Sequence, residues 1–427
     1  MSVNWLVIDW LWNKMRCRAL VAVLGFLFFA GNLSAQTVMF DDWFDGRTLR
    51  LDCLRAGSAE GDTVWVERWV DRGSEWHGSR TRLCDPFDNG SYRVEMRDAA
   101  TGRLLYSRGY SSLFVEYKDT PEGQSSVARF EETLLLPMPR VAVEIALQKR
   151  DTLLQLHDAT VLHFDPEIKD LQYVAENAVG QNVSLECHGA PSTQVDVVLV
   201  MQGYDAVSGD TLHADMQRMM EALLGVDPFA SHRREFNVYG VVADVGAEYG
   251  VFGAERYLMT FDVWRLHDAV GKVPCDYIVV VVNDSRYGGG AIYNFYAVTS
   301  LHRRAEQVLI HELGHAMGGL ADEYVDESLS YGSIHRTVCE PLEPNITNLV
   351  DFGSKWEALL DKEMPVPTPA NESVSHDECG PLGVYEGAGY AARGLYRPAM
   401  HCMMRDYAPF CPVCSGRLES IFSLYTR

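Results

Sequence analysis

The sequence is short of positive charge. Lys and Arg together number 37 against 59 Asp and Glu, which gives a formal net charge of −22 over 427 residues. A surface of this sign repels a phosphate backbone, so the composition argues against nucleic-acid binding. Internal repeats and low-complexity segments are absent as well. The hydrophobic and charged fractions, 47% and 22%, are those of an ordinary globular protein, and the length predicts two domains.

A long apolar run is also missing. The N-terminal apolar segment, Ala19 to Ala30, is shorter than the ~20 residues that a membrane span requires. It follows a basic cluster and ends in small residues up to Ala35, which is the pattern of a signal peptide over residues 1–35. We therefore expect an exported protein, in the periplasm, at the cell surface or outside the cell, with no transmembrane span in the mature chain.

Nine of the ten cysteines lie beyond this segment, and four of them fall in the last 50 residues or so. Cys411-Pro412-Val413-Cys414, close to Cys402, fits a second, structural zinc site, a redox pair or disulfides. Export favours disulfides, and a redox pair would need a βαβ setting that the sequence does not show here.

Two patterns of hydrophobicity divide the chain. From about residue 37 to 165, short alternating runs separated by polar turns predict an antiparallel β-sandwich. After Gly189, continuous apolar runs alternate with helical stretches at His213 to Leu224 and Glu255 to Val270, which predicts a largely parallel sheet. The sequence thus predicts an α+β protein with a β-sandwich domain at 36–175 and an α/β domain at 186–427.

The segment HELGHAMGGLADEY carries the chemistry. His311 and His315 are four residues apart, so on a helix they share one face and can bind a single metal ion. Zinc accepts imidazole, and in catalytic sites it takes three protein ligands and a water. Glu312 lies between the two histidines, where it can act as general base and then general acid.

A third ligand is expected after the helix ends at Gly318-Gly319. In metzincins a His or Asp follows such a glycine break. Here Asp322 is the candidate and Glu323 is the rival, while Ala321 occupies the usual position and cannot bind metal. A methionine in a turn beneath the zinc is a further metzincin feature, for which Met404 or Met403 is the candidate.

Two further features are candidates for substrate contact. Tyr407 can stabilise an oxyanion. Gly289 and Gly290 belong to a run of three glycines that lacks the Lys-Ser/Thr of a phosphate loop. They precede a strand-like run, Ala291 to Ser300, and favour either an edge strand to which an extended peptide can pair or a plain flexible loop.

These segments, together with FDDWFDGRTLRLD near the N-terminus, YGGGAIYNFY, NITNLVDFGSKW and GLYRPAMHCMMRDYAPFCPVC, resemble the bacterial IgA-peptidase family of zinc metallopeptidases, in particular members with an N-terminal β-domain. The resemblance implies a metzincin-like catalytic domain. It also implies His311, His315 and Asp322 as ligands of one zinc ion, with Glu312 as the general base.

We therefore expect a secreted zinc-dependent endopeptidase that acts on proteins or peptides, with host glycoproteins among the candidate substrates. The alternative is a non-catalytic module that binds surface proteins or glycoproteins and contains a structural zinc site. An intact Glu312 argues against that alternative, because a structural site has no use for a general base.

Overall fold

The computed structural model describes residues 38–167, 171–175, 180–204, 209–326, 338–371 and 373–426. The predicted signal peptide lies outside these residues. Phe40–Arg427 forms one compact unit by its internal contacts, and the two-domain limits expected from the sequence stay a prediction. Within the described part, no helix is long and apolar enough to cross a membrane.

The N-terminal region consists mainly of two four-stranded sheets. The first has the order β5-β1-β2-β8, with β1 at Phe44–Ser58, β2 at Gly61–Glu75, β5 at Ala128–Pro139 and β8 at Gln172–Tyr173. The second has the order β4-β3-β6-β7, with β3 at Tyr92–Asp98, β4 at Leu104–Tyr110, β6 at Val143–Arg150 and β7 at Leu156–Phe164. All pairings are antiparallel except that of β2 with β8. Two short helices accompany them, α1 at Phe40–Trp43 and α2 at Leu113–Tyr117.

The two sheets touch through large side chains. The rings of Trp69 on β2 and Phe164 on β7 lie 5.0 Å apart. The Arg55 guanidinium on β1 lies 3.8 Å from the ring centre of Tyr92 on β3. Arg55 is 1% exposed, and its Nε donates to Glu132 at 2.6 Å, so this buried charge is paired, as burial requires.

A six-stranded sheet forms the centre of the rest of the molecule. Its strands are β9 at Gln181–Glu186, β10 at Val195–Gln202, β11 at Phe236–Val242, β14 at Tyr277–Val282, β15 at Gly289–Ile292 and β16 at Tyr296–Ser300. In the order β15-β16-β14-β10-β11-β9, the four inner strands are parallel and the two outer strands run antiparallel to their neighbours. The valine-rich inner strands are buried on both faces, which explains their continuous apolar runs.

Helices cover this sheet, and one of them is shorter than expected. They are α3 at Gly209–Leu224, α4 at Val263–Ala269, α5 at Ala305–Gly318, α6 at Met403–Asp406 and α7 at Pro412–Tyr425. The helix expected over Glu255 to Val270 is wrong in its first half, because Leu258–Met259 forms strand β13, paired with β12 at Glu248–Tyr249. The strand expected over Ala291 to Ser300 is likewise two strands, since a turn with Asn294 at φ 49° separates β15 from β16.

The N-terminal sheets are joined to the rest by buried arginines. Arg50 on β1 is fully buried and reaches Asp268 in α4 at 2.6 Å and the Trp264 carbonyl oxygen at 2.9 Å. Arg72 on β2 donates to the carbonyl oxygens of Val270 and Val273 at 2.6 and 3.0 Å. With its several sheets and helices, the described part of the chain is a mixed α/β protein, as the sequence predicts.

The C-terminal segment adds a small hairpin and brings three cysteines together. The hairpin consists of β17 at Tyr385–Ala388 and β18 at Ala391–Arg397. Cys402, Cys411 and Cys414 form no disulfide bond, so the disulfides expected among these C-terminal cysteines are not present in the structure. Cys402, Cys411 and Cys414 are buried close together instead.

Candidate active site

Helix α5 carries the HELGH motif and ends where the sequence predicts. Gly319 follows it in the left-handed conformation, with φ 60° and ψ 31°, and its N–H donates to the His315 carbonyl at 3.0 Å. Such a C-cap turns the chain back along the helix. The reversal brings Asp322 to the two histidines.

Three ligand-type atoms converge at this point. His311 Nε2 lies 3.0 Å and His315 Nε2 lies 3.3 Å from Asp322 Oδ1, and the two Nε2 atoms are 3.1 Å apart. His311 Nδ1 donates to the Met403 carbonyl at 2.9 Å, and His315 Nδ1 donates to the Leu320 carbonyl at 2.6 Å. Because a carbonyl oxygen can only accept, these bonds place the proton on Nδ1 of each neutral ring and the lone pair on Nε2.

Three ligand atoms that face one another in this way need a proton or a metal cation between them. The donor set, two imidazoles and one carboxylate, is one that zinc accepts. The hydrogen bonds at Nδ1 are the outer interactions that orient metal-binding histidines. The residues present therefore fit a zinc ion, for which His311, His315 and Asp322 would supply three ligands.

The electrostatics of the site also favour a cation. Burial lowers the pKa of both imidazoles, but the Asp322 carboxylate outweighs it and raises the pKa of His311 and that of His315, the latter to about 9. Burial raises the pKa of Asp322, but the neighbouring histidines outweigh it and hold that pKa well below its usual range. A metal ion that binds here must displace any proton at Nε2.

Glu312 and Asp322 have different surroundings. Burial raises the pKa of the Glu312 carboxyl, and the neighbouring histidines oppose that shift only in part. Glu312 Oε1 lies 2.9 Å from the position that a Cβ on Gly289 would occupy. The glycine therefore leaves room for the carboxylate beside the edge strand β15.

The site opens onto a cleft of about 300 Å³. Its walls include Glu312, both histidines and Asp322, and the edge strand β15 contributes Gly289, Gly290, Ala291 and Ile292. The N-terminal region also lines the cleft, through Ser111, Ser112, Val115 and Glu116. A substrate in this cleft would touch both regions of the molecule.

The remaining predicted residues also lie near the site. Met404 is fully buried, with its Sδ 2.5 Å from where a Cβ on Gly314 would lie, so it packs directly against the helix between the two histidines. The Tyr407 ring centre is 5.6 Å from that of His311, and its hydroxyl is hydrogen-bonded to the Tyr287 hydroxyl at 2.7 Å. The roles assigned to these residues stay predictions.

Glu323, the rival ligand, points elsewhere. Its carboxylate lies among Cys402, Cys411 and Cys414, and the Asp322 carboxylate takes the place beside the histidines.

Sequence reasoning missed two side chains that hold the Asp322 segment. The Tyr390 hydroxyl donates to Asp322 Oδ2. The Asn345 side chain accepts from the Ala321 N–H at 2.8 Å and donates to the Ala321 carbonyl at 2.9 Å. Asn345 begins one of the segments by which the chain resembles its family, whereas no local pattern marks Tyr390, which meets Asp322 only through the fold.

Two imidazoles and a carboxylate about one point, with a glutamate beside them in a cleft, form a centre suited to metal-dependent hydrolysis. The sequence matches the family described as IgA Peptidase M64 over residues 183–244, 242–380 and 374–422, and the family described as Peptidase M64 N-terminus over residues 39–159. The chain belongs to the IgA peptidase M64 family. The resemblance read from the sequence is confirmed, and the protein is a peptidase.

Two solved structures with a detectable similarity are distant from this chain. An archaemetzincin from Methanopyrus kandleri shares 17% identity, with a TM-score of 0.19, over 30% of this chain and 76% of that one. A structure titled as a chaperone-substrate complex shares 10% identity, with a TM-score of 0.20, over 47% of this chain and 29% of that one. No curated protein matches the chain.

Proposed function

We propose that the protein is a secreted zinc-dependent endopeptidase, with zinc held by His311, His315 and Asp322. The observation that carries the proposal is the convergence of three ligand atoms, which lie within 3.3 Å of one another beside Glu312 at the wall of a cleft. Family membership supports peptide hydrolysis, and the N-terminal basic and apolar pattern supports export.

A zinc ion held there would polarise the scissile carbonyl and lower the pKa of a water molecule. Glu312 then removes the proton from the attacking water and delivers it to the leaving amine. The hydrogen bonds from Nδ1 of each histidine keep both Nε2 atoms aimed at one point. Tyr407, with its hydroxyl close to that of Tyr287, is our candidate donor to the developing oxyanion.

The cleft supports cleavage within a chain rather than at a terminus. Strand β15 lines the cleft at the end of the six-stranded sheet. The Gly289 N–H already donates to the Arg256 carbonyl at 3.2 Å, so an extended peptide would pair by main-chain hydrogen bonds with the part of the strand that follows Gly289. We expect protein substrates, including host glycoproteins. Immunoglobulin A, which the family description names, is one substrate to test.

We also propose that the two four-stranded sheets form a sandwich-like domain at about residues 36–175, joined to a metzincin-like catalytic domain at about 186–427. The parallel inner strands beneath α5 support the second assignment. The N-terminal residues in the cleft wall support a role for the first domain in presenting substrate.

A paired comparison of Glu312→Gln with the unaltered chain tests the proposal. Gln keeps the size of the side chain and leaves the three ligands untouched, so zinc content should not change. We expect cleavage of a mixed peptide library, or of purified immunoglobulin A, to fall by at least about 10²-fold, the lower end for loss of a general base. Glu306→Gln, on the exposed face of the same helix, is the matched control and should cleave normally.

Cleavage that depends on Glu312 and stops with a chelator supports the endopeptidase. If both proteins bind zinc at this site and cleave at the same rate, Glu312 is not the base. If neither cleaves any substrate offered, the non-catalytic binding module becomes the better account.

A further inference from the structure

A second cluster of ligand-type side chains lies behind the histidine site. It consists of the Glu323 carboxylate and the thiols of Cys402, Cys411 and Cys414, with one ligand atom of each lying within 4.8 Å of all the others. All four residues are 0% exposed. A buried glutamate in the company of three buried thiols needs an explanation, because burial penalises a charge that has no partner.

The bonding within the cluster is incomplete. Glu323 Oε1 accepts from Asn345 Nδ2 at 2.9 Å and from the Cys414 thiol at 3.2 Å. Its other oxygen, Oε2, is buried without a hydrogen-bond partner among the described residues. The sulfur atoms of Cys402 and Cys414 are 3.8 Å apart, well beyond the ~2.05 Å of a disulfide bond.

We propose that Glu323, Cys402, Cys411 and Cys414 form a second zinc site, structural and distinct from the histidine site. Three thiolates and one carboxylate supply the four ligands of a tetrahedral zinc ion, and thiolate-rich donor sets are typical of structural sites. All four positions are filled by protein, so no water is coordinated. The ion gives the unpartnered Glu323 oxygen a ligand role and takes up the charge of the deprotonated thiols.

The second site is tied to the first through the backbone. Glu323 directly follows Asp322, and its N–H donates to the Met404 carbonyl at 2.8 Å. Cys402 directly precedes Met403, whose carbonyl accepts from His311 Nδ1. Cys411 precedes α7 as its N-cap residue. Zinc at the cysteine site would therefore fix both the Asp322 segment and the turn that orients His311.

Disulfide formation is the competing chemistry, because an exported protein meets an oxidising environment. Cys402, Cys411 and Cys414 are three thiols, so a disulfide within the cluster leaves one thiol over and leaves Glu323 without a ligand role. Metal content and thiol state therefore distinguish the two accounts without reference to peptidase activity.

The test is zinc stoichiometry of the purified full chain by mass spectrometry of the metal. We expect two zinc ions per chain in the unaltered protein, one in Cys411→Ser/Cys414→Ser and one in His311→Ala/His315→Ala. Cys84→Ser, which changes an exposed cysteine, should retain two. Replacement of zinc by Co²⁺ should give a thiolate-to-cobalt charge-transfer band that survives in the histidine variant and disappears in the cysteine variant.

The milder variant Glu323→Gln guards against misfolding of the double cysteine variant. It keeps all three thiols, so the cobalt band should persist with a shifted spectrum and the zinc at this site should be lost to chelators faster. One zinc per unaltered chain together with a disulfide among the three cysteines would overturn the proposal, as would a Co²⁺-loaded chain without a thiolate band. Neither result bears on whether the histidine site cleaves peptides.

Discussion

Tyr390 shows how a single side chain from a distant part of the sequence can support a candidate metal site. Its hydroxyl donates to Asp322 Oδ2, while Oδ1 faces the histidines. A hydrogen bond of this kind fixes which carboxylate oxygen is turned toward the metal. In Asp322, therefore, Oδ2 accepts the hydrogen bond from Tyr390 and Oδ1 remains directed at the two histidines.

Removal of this hydroxyl by Tyr390→Phe should weaken zinc binding at the histidine site by about 10–100-fold, the usual effect of losing a partner to a metal ligand. Competition with a chromophoric chelator measures the change. Tyr385→Phe, in the same hairpin but bonded to the Pro381 carbonyl, is the control and should bind zinc normally. An unchanged affinity in Tyr390→Phe would show that Asp322 does not depend on this contact.

At the scale of elements, the turn after helix α5 determines the position of Asp322 relative to the two histidines. Gly319 has a positive φ, and a Cβ there would lie 2.8 Å from the Asn89 side-chain amide and 3.0 Å from the Tyr293 ring. Both the backbone conformation and the close neighbours exclude a larger residue. The N-terminal region thus packs against the turn that leads to Asp322, the third candidate ligand.

Gly319→Ala should reduce the free energy of unfolding by about 1–3 kcal/mol, because a non-glycine residue at positive φ is strained. Urea unfolding gives the value. Gly416→Ala in helix α7, where a Cβ meets nothing within 4 Å, should be neutral or slightly stabilising. Equal stabilities of the two variants would mean that the turn can adapt.

Strand β10 and the segment before β14 share a buried acidic pair. The Asp196 N–H donates to Asp276 Oδ2 at 2.9 Å, and Asn237 Nδ2 donates to Asp196 Oδ1 at 2.8 Å. Burial raises the pKa of both carboxyls well above the usual range, although Arg72 and Arg108 oppose the shift at Asp276. His77 also faces this pair, at 3.3 Å from Asp276.

The raised values have a consequence for stability. In the unfolded chain both carboxyls lose their protons near pH ~4. Above that pH the folded state holds more protons than the unfolded state, so the contribution of this pair to stability falls as the pH rises toward the folded values. The free energy of unfolding of the unaltered chain should therefore decrease between about pH 5 and about pH 8. In Asp196→Asn this decrease should be smaller by roughly 1 kcal/mol or more.

Urea unfolding at the two pH values measures the difference, with the exposed Asp244→Asn as control. A decrease in Asp196→Asn as large as that of the unaltered chain would show that the pair is not protonated in the folded state.

The elements also show what local patterns can and cannot predict. The spacing in HELGH and the following glycines were enough to place α5 and its C-cap, because helix periodicity and left-handed capping are local properties. The first half of the helix expected at Glu255 to Val270 was wrong because Leu258–Met259 pairs with β12 instead, and such pairing depends on the tertiary fold. The run from Ala291 to Ser300, expected as one strand, is divided by the turn at Asn294 because β15 pairs with β16, and this pairing is likewise set by the fold.

At the scale of the whole molecule, buried ion pairs join the N-terminal sheets to the region that carries the site. Arg50 is fully buried and bonds both to Asp52 on its own strand and to Asp268 in α4. Sequence could not have predicted the pairing of Arg50 with Asp268, since the two residues are 218 positions apart and no local pattern connects them. The N-terminal residues that line the cleft could not be predicted either, because they lie far from the HELGH motif in the sequence.

Arg50→Met should destabilise the protein by about 3–5 kcal/mol, because it leaves the buried Asp52 carboxylate with one partner fewer. Denaturant unfolding followed by fluorescence and by circular dichroism measures the loss. Arg265→Met, whose arginine is about half exposed and pairs with the exposed Asp244 and Asp262, should change stability by no more than ~1 kcal/mol. If Arg50→Met is equally mild, the buried ion pairs of Arg50 are not needed to hold the two regions together.

The most direct test of the zinc endopeptidase is a crystal structure of the purified chain with anomalous scattering data collected at the zinc absorption edge. We expect a peak bound by His311 Nε2, His315 Nε2 and Asp322 Oδ1, with the fourth position open to the cleft and facing Glu312. A peak with a fourth protein ligand and no open position would describe a structural ion and contradict the account, as would the absence of zinc from this site.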